Sequence, residues 1–237
     1  MIPTFNYLIN KYNIKIKGVI HVGAHEGQET LSYINENINK VILIEANPHR
    51  FENLKESIQT GRYCTNCTPL EYIFLNQIQA DILKKYAVYN YAISDVEEGF
   101  LEFNLSNYDG GVDSLFKINN FGTNSSWVNY EHVDKIKVPT TTLDNLIKDN
   151  NEFNFLNIDV EGAELLVLKG SVELLKNIDF ILLETQDMQR FDGSCTKQDL
   201  IDYLKNFNFK LVEYFDTGKN WGDSFFIKNK YNVILNK

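Results

Sequence analysis

The run Val19-Ile20-His21-Val22-Gly23-Ala24-His25-Glu26-Gly27, followed by Val41-Ile42-Leu43-Ile44-Glu45, constrains this chain more than any other part of it. It reads as a buried strand, a glycine turn that opens a helix, and a second buried strand that ends in a carboxylate. An open α/β sheet holds an adenosine-containing ligand with this layout. The glycines admit close backbone approach, and an acid about 20 positions further on accepts hydrogen bonds from ribose hydroxyls.

The glycine spacing departs from the dinucleotide pattern G-x-G-x-x-G. Ala24 breaks the first pair and leaves Gly23-x-x-x-Gly27. No lysine follows in the manner of a phosphate-binding loop, which argues against a triphosphate cradle. Glu26 stands where a pyrophosphate would want only donors, whereas a cationic ligand tolerates it.

A chain of 237 residues suits one α/β domain. No apolar run approaches the ~18 residues of a membrane span, and the N-terminus lacks a basic and apolar leader, so a cytoplasmic protein is expected. The formal net charge is −9, with lysines scattered among acids. Nucleic-acid binders neutralise phosphates with a basic stripe, so a nucleic-acid acceptor is disfavoured, and anionic membranes are equally unsupported. Three cysteines fit a reducing compartment. Cys64-Thr-Asn-Cys67 with Cys195 falls one short of a structural zinc set, so the pair reads as loop cysteines and no metal is expected.

Strand and helix signals alternate along the chain, as in βαβ units of a parallel sheet. Helices are predicted over 28–38, from Asn47-Pro48 onward, and over 71–85 after a polar stretch at 60–70. Ala87–Ile93 reads as the third strand and Phe100–Leu105 as another. Residues 106–136 carry Gly110-Gly111 and the aromatics Phe116, Phe121, Trp127 and Tyr130, and a long connection of that kind reads as a lid. Regular structure resumes with a short helix from Thr142, a strand over Phe153–Val160, a helix over Ala163–Lys169, a helical turn from Ser171 and a strand over Asp179–Glu184. Thr196-x-x-Asp199 resembles a capping box that starts the last helix. Phe209–Phe215 and Ser224–Lys228 form a hairpin around Gly218 and Gly222. Neither an internal repeat nor a linker is visible, so one domain is expected.

Asp159-Val160-Glu161-Gly162-Ala163-Glu164 sets three acids where a strand feeds a helix, the edge at which open α/β sheets bind ligands. Acids in a first helical turn complement the helix dipole, which accounts for one or two of them. Asp159, as the last strand residue, lies outside that explanation, and Glu184 ends the next strand at the same edge. Four carboxylates on one cleft, with Glu26 and Glu45 nearby, suit the sulfonium of S-adenosylmethionine and suit the diphosphate of NAD poorly.

Val22-Gly23-Ala24-His25-Glu26-Gly27, Ala92-Ile93-Ser94-Asp95, Thr142-Leu143-Asp144-Asn145-Leu146 and Ile158-Asp159-Val160-Glu161-Gly162-Ala163-Glu164 with Val167-Leu168-Lys169-Gly170 resemble the FkbM family of S-adenosylmethionine-dependent methyltransferases. The resemblance runs in order over residues 17–184. It implies a Rossmann-like class I fold, a seven-stranded mostly parallel sheet with helices on both faces. It also implies methylation of a hydroxyl on a sugar, glycan or other small molecule. By position, Gly23, Ala24 and Gly27 would line the methionine and ribose portion, with Glu26 in the same turn. Glu45 would hold the ribose, with Ala46 and Asn47 beside it. Tyr91, Ala92 and Ile93 would flank the adenine, and Asp159 would sit by the methionine ammonium and the methyl. The family often has aspartate where this chain has His21; the imidazole either orients the turn or is a core histidine satisfied locally. His21 and His25 lie in a strand and turn, which does not make a metal pair.

A hydroxyl is a weak nucleophile, so a base should assist the transfer, and Asp159, Glu161 and His132 are the candidates. Two other readings use the same opening motif. One is an NAD-dependent oxidoreductase or epimerase, which lacks a suitably placed Tyr-x-x-x-Lys here. The other is a methyltransferase fold that binds cofactor without catalysis.

Overall fold

The computed structural model describes residues 5–67, 70–74, 77–119, 124–125, 128–148 and 151–231. Its principal sheet has seven strands, β1 (Val19–Val22), β2 (Val41–Ile44), β3 (Ala87–Tyr89), β4 (Phe155–Ile158), β5 (Phe180–Gln186), β6 (Phe209–Asp216) and β7 (Trp221–Lys228). Their spatial order is β6-β7-β5-β4-β1-β2-β3. Pairing is parallel from β5 to β3 and antiparallel where β7 meets β5 and β6. The fold is a Rossmann-like class I methyltransferase α/β sheet. The chain adds strands outward from β1 to β3, then returns to the other side of β1 with β4. That reversal puts the binding crevice at the carboxyl ends of β1 and β4.

Alternate residues of the central strands feed two cores. Val19, Val41, Leu43, Phe155 and Phe180 pack on one face against α1 (Phe5–Tyr12), α2 (Thr30–Asn35), α3 (Pro48–Thr60) and α4 (Gln77–Leu83). Ile20, Ile42, Leu156, Ile158 and Ile181 pack on the other, against α5 (Leu143–Leu146), α6 (Glu164–Lys169), a 3-10 turn at Leu174–Lys176 and α7 (Lys197–Lys205). Strands with both faces covered by helices are the condition of a parallel sheet. Each fully buried Leu, Ile or Phe stabilises it by about 1.5–3 kcal/mol.

Local chemistry sets the helix ends. The Asn47 side chain accepts from the His49 and Arg50 N–H groups, Pro48 occupies the first helical position, and Gly61 stops α3 at φ 68°. Thr196 and Asp199 complete the capping box of α7.

The outcome differs from the sequence reading in four places. Residues 62–67 and 70–74 pair as an antiparallel hairpin instead of a polar loop, so α4 spans only Gln77–Leu83. The β-prone sequence Arg62-Tyr63-Cys64-Thr65 and Tyr72-Ile73-Phe74 supplies the reason. Ala87–Ile93 divides, because Ala92–Ile93 leaves β3 and pairs with Thr140–Thr141 in a second sheet. The long strand His132–Thr141 runs antiparallel to Glu98–Ser106, so residues 132–136 belong to a strand and not to the lid. Phe121 and Trp127 lie outside the described residues. Helix α1 has only two buried residues, Phe5 and Leu8, too little apolar repeat to register as a pattern. Among the described residues no helix is long and apolar enough to cross a membrane.

Candidate active site

At the end of β1 the N–H groups of Gly23 and Ala24 both donate to the Ile44 carbonyl, at 2.9 and 3.0 Å. Gly23 has φ +83°, and a Cβ there would lie 1.6 Å from the Asp159 carbonyl oxygen. Glycine is therefore required to bring the β1 turn against the end of β4. Approach to a ligand is not its only demand.

Glu45 follows β2 and staples this turn to α3. Its Oε2 accepts from the His25 N–H at 2.8 Å and its Oε1 from the Asn47 N–H at 2.7 Å. Burial raises its pKa against the pull of those two donors. Asn47 also donates to Asp113 Oδ2 at 2.7 Å, and Asp113 Oδ1 accepts from the Ser106 N–H and hydroxyl. Segment 107–115 is latched over the crevice from the same side. Arg50 bridges Glu26 (2.6 Å) and Asp109. The Gln28 amide donates to His25 Nδ1, which leaves Nε2–H to donate to the Asp109 carbonyl at 3.0 Å. Burial works against the Glu26 carboxylate, but hydrogen bonds from Asn53 and Arg50 win and hold its pKa below the usual value.

The end of β4 gathers acids. The Asp159 N–H donates to the Val22 carbonyl at 2.9 Å. Glu161 takes the left-handed conformation at φ 51°, Gly162 follows at φ +99°, and Ser114 donates its hydroxyl to the Glu161 carbonyl at 2.7 Å. One oxygen each from Asp159, Glu161 and Glu184 lie within 4.8 Å of one another. Burial, and for Glu161 and Glu184 the neighbouring acids, raise all three pKa values.

Glu164 does not join them in the cleft. Its Oε1 accepts from the Gly162 N–H at 3.0 Å, so it ties its own loop, and burial pushes its pKa up to about 7. A carboxyl whose folded pKa exceeds its unfolded value of 4.5 makes the folded state bind the extra proton. Stability then falls as pH rises from about 4.5 through about 7. Glu164→Gln keeps an acceptor oxygen but removes that titration. It should therefore show a shallower fall in melting temperature between pH 5 and pH 8 than the parent; parallel falls would contradict the assignment.

These elements enclose a cavity of about 490 Å³. Of the residues singled out in the sequence, Gly23, Glu45, Ala46, Asp159 and Glu161 line it, as does the row Tyr91, Ala92 and Ile93. His21, Ala24, Glu26, Gly27, Asn47 and His132 do not. His21 is 2% exposed, sits 3.3 Å from the Tyr33 hydroxyl, and is driven by burial down to about 3, so it stays neutral. Ala24 packs beneath the turn, and Gly27 closes it by donating to the Ala24 carbonyl. His132 Nδ1 accepts from the Ile118 N–H and Nε2 donates to the Val112 carbonyl, so both ring nitrogens serve the fold. Burial also lowers the His132 pKa.

Several lining residues were not singled out in the sequence. Glu29, at the start of α2, opens into the cavity close enough to Asp159 for their charges to interact, and burial raises its carboxyl to about 7. Tyr108, Asp113 and Leu115 come from the latched segment. Two positions separate Gly27 from Glu29, so the helix start was the one signal available for it. The latched residues had only the long connection 106–136, read as a lid, and the tertiary fold decides which of its side chains reach the crevice.

The family model of the FkbM methyltransferase domain matches residues 21–211. The 2-O-methyltransferase NoeI of Sinorhizobium fredii is 28% identical over 144 residues, 57% of this chain and 57% of that enzyme, so the match spans little more than half its length. The crystal structure of Sp1610 from Streptococcus pneumoniae, assigned as a tRNA (m1A22) methyltransferase, superimposes with a TM-score of 0.51 at 10% identity. It covers 98% of this chain and 73% of that one, a likeness of fold alone. With the family's motifs placed at the carboxyl edge of β1, β2 and β4, this chain belongs to the FkbM methyltransferase family.

Proposed function

We propose that this protein transfers a methyl group from S-adenosylmethionine to a hydroxyl of a sugar, glycan or other small molecule. The observation that carries the reading is the charge of the cavity. Glu29, Glu45, Asp109, Asp113, Asp159 and Glu161 line it, and no lysine or arginine does among the described residues. Such a wall attracts a sulfonium and an ammonium and repels a diphosphate, which disfavours NAD. The volume falls within the ~300–1,000 Å³ of small-molecule sites. The oxygen acceptor rests on the likeness to NoeI, described as a 2-O-methyltransferase.

The residues present fit the cofactor. Each Glu45 oxygen already accepts one backbone N–H and keeps capacity for a ribose hydroxyl. Tyr91, Ala92 and Ile93 offer an apolar wall for adenine, and Glu29 with Asp159 offers charge for the ammonium. The bound cofactor supplies an activated methyl group. The chain's own work is to hold the acceptor oxygen in line and accept a proton. Positioning of this kind is worth about 7–11 kcal/mol. Asp159, open to the cavity, receives the hydroxyl proton.

Calorimetric titration with S-adenosylhomocysteine and with NAD tests the cofactor, and turnover of S-adenosylmethionine against a panel of sugars and glycans tests the acceptor. Binding of NAD and not of S-adenosylhomocysteine would replace this reading with the oxidoreductase one. Glu45→Gln should weaken S-adenosylhomocysteine by about 1.5–3 kcal/mol, the range for hydrogen bonds to charged groups. Unchanged affinity in a variant with a native circular dichroism spectrum would remove Glu45 from the ribose site.

A further inference from the structure

Tyr108 is 48% exposed, yet its ring is held in place and lines the cavity. The Tyr130 ring meets it edge-on, with centroids 5.0 Å apart and planes at 81°. Against it lies the backbone of Gly111, where an added Cβ would come within 3.0 Å of Tyr108 Cδ1 and 3.3 Å of Cε1. Gly111 also donates its N–H to the Tyr108 carbonyl at 2.8 Å. Neighbouring residues bring the two tyrosines together: the Asn107 N–H donates to the Glu131 carbonyl at 2.9 Å, and the Glu131 N–H donates to Asn107 Oδ1 at 3.1 Å. An aromatic ring fixed in this way offers contact area at little cost in conformational entropy.

The other aromatic side chains of the cavity are already committed. Phe103 is buried in the small core it forms with Ala92 and Val138, and Tyr91 stands in the wall offered to adenine. Tyr108 belongs to neither, and acids share the cavity with it. Asp109, Asp159 and Glu161 line that space, and the buried Oε2 of Glu161 has no hydrogen-bond partner among the described residues. An apolar acceptor laid on the Tyr108 ring would leave these carboxyls without donors, which is costly. A pyranose answers both demands. One face of its ring presents C–H bonds to the negative face of an aromatic ring, while its hydroxyls donate to carboxylate oxygens.

We propose that Tyr108 is the platform on which a sugar ring of the acceptor lies, with Gly111 and Tyr130 as the residues that position it. The proposal rests on the methyltransferase reading and narrows its acceptor from any small hydroxyl compound to a ring sugar. A pyranose held in one plane presents one edge of hydroxyls to Asp159, so the stack contributes to the alignment that methyl transfer needs.

The test is saturation-transfer NMR on the full chain with S-adenosylhomocysteine bound. Methyl pyranosides of glucose, galactose and mannose serve as probes, with sorbitol and choline as contrasts. At least one pyranoside should bind, with its strongest transfer to the C–H protons of one ring face, and sorbitol and choline should not. Tyr108→Ala should weaken that pyranoside by about 10-fold or more, the scale on which truncating an aromatic anchor is felt. Tyr108→Phe keeps the ring and should restore most of the affinity. Gly111→Ala pushes on the ring without removing it and should also weaken the sugar. All three variants should bind S-adenosylhomocysteine as the parent does. Equal pyranoside binding by the parent and Tyr108→Ala would overturn the proposal, as would no pyranoside binding at millimolar concentration. Loss of S-adenosylhomocysteine affinity in Tyr108→Ala would assign the ring to the cofactor, and binding of choline or sorbitol in place of the pyranosides would assign it to another acceptor; each overturns the proposal. Failure of the parent to bind S-adenosylhomocysteine, measured before any sugar is added, would instead overturn the methyltransferase reading and the proposal with it.

Discussion

Asp159→Asn should lower turnover by about two to four orders of magnitude, the usual contribution of a positioned general base. The amide keeps the shape of the side chain and has no oxygen basic enough to take a hydroxyl proton. The Asp159 N–H to Val22 carbonyl bond, which closes the β1–β4 seam, is a backbone contact and survives the change. Folding should therefore hold, and converting one of several mutually repelling acids to an amide should if anything raise the melting temperature. Affinity for S-adenosylhomocysteine should fall less than turnover, because Glu29 continues to offer charge to the ammonium. Single-turnover methyl transfer with saturating cofactor separates the two quantities. Intact turnover would remove Asp159 as the proton acceptor and turn attention to Glu161, the other carboxylate of the β4 end that lines the cavity. His132 is a weaker substitute, since both of its ring nitrogens are already engaged with backbone.

What could be read from the sequence follows a physical division. The strands at 19–22, 41–44, 155–158 and 180–186 are buried on both faces, so their apolar runs survive any detail of packing. Caps such as Asn47-Pro48 and Thr196-x-x-Asp199 are local hydrogen-bond devices and keep their meaning in isolation. The hairpin of 62–67 and 70–74 was hidden because polar residues such as Asn66 and Glu71 interrupt its β-prone ones. The split of Ala87–Ile93 between two sheets depends on Thr140–Thr141, nearly 50 positions away, and no local pattern reports such a pairing. The site shows the same division. Gly23, Glu45 and Asp159 end strands, where sheet topology alone fixes their place. Asp113 reaches the site through Asn47 and Ser106, and Glu26 turns out to hold Arg50, because side-chain pairing across elements decides them. His21 illustrates the limit: its position in β1 was legible, but its burial against Tyr33 required the packed helix α2.

Gly23→Ala should destabilise the protein by about 2–5 kcal/mol, combining overpacking of a tight site with a positive φ that L-residues disfavour. At the size of this chain, 1 kcal/mol shifts the melting temperature by about 2–4 °C, so a fall of roughly 5–15 °C is expected. The clash is with backbone: the added Cβ would stand 1.6 Å from the Asp159 carbonyl oxygen, which no side-chain rotation can relieve. Gly193→Ala supplies the control. Gly193 has φ +87°, nearly the same as the +83° of Gly23, but its added Cβ would meet only the Phe116 ring at 3.6 Å, an ordinary contact. The two variants share the conformational cost and differ in the collision, so the gap between their melting temperatures measures how closely β1 and β4 must approach. Because that seam carries both the glycine turn and Asp159, Gly23→Ala should also lose S-adenosylhomocysteine affinity, whereas Gly193→Ala should largely keep it. Equal melting temperatures would show that the β1–β4 edge can open without penalty. The glycine would then be required for ligand approach alone.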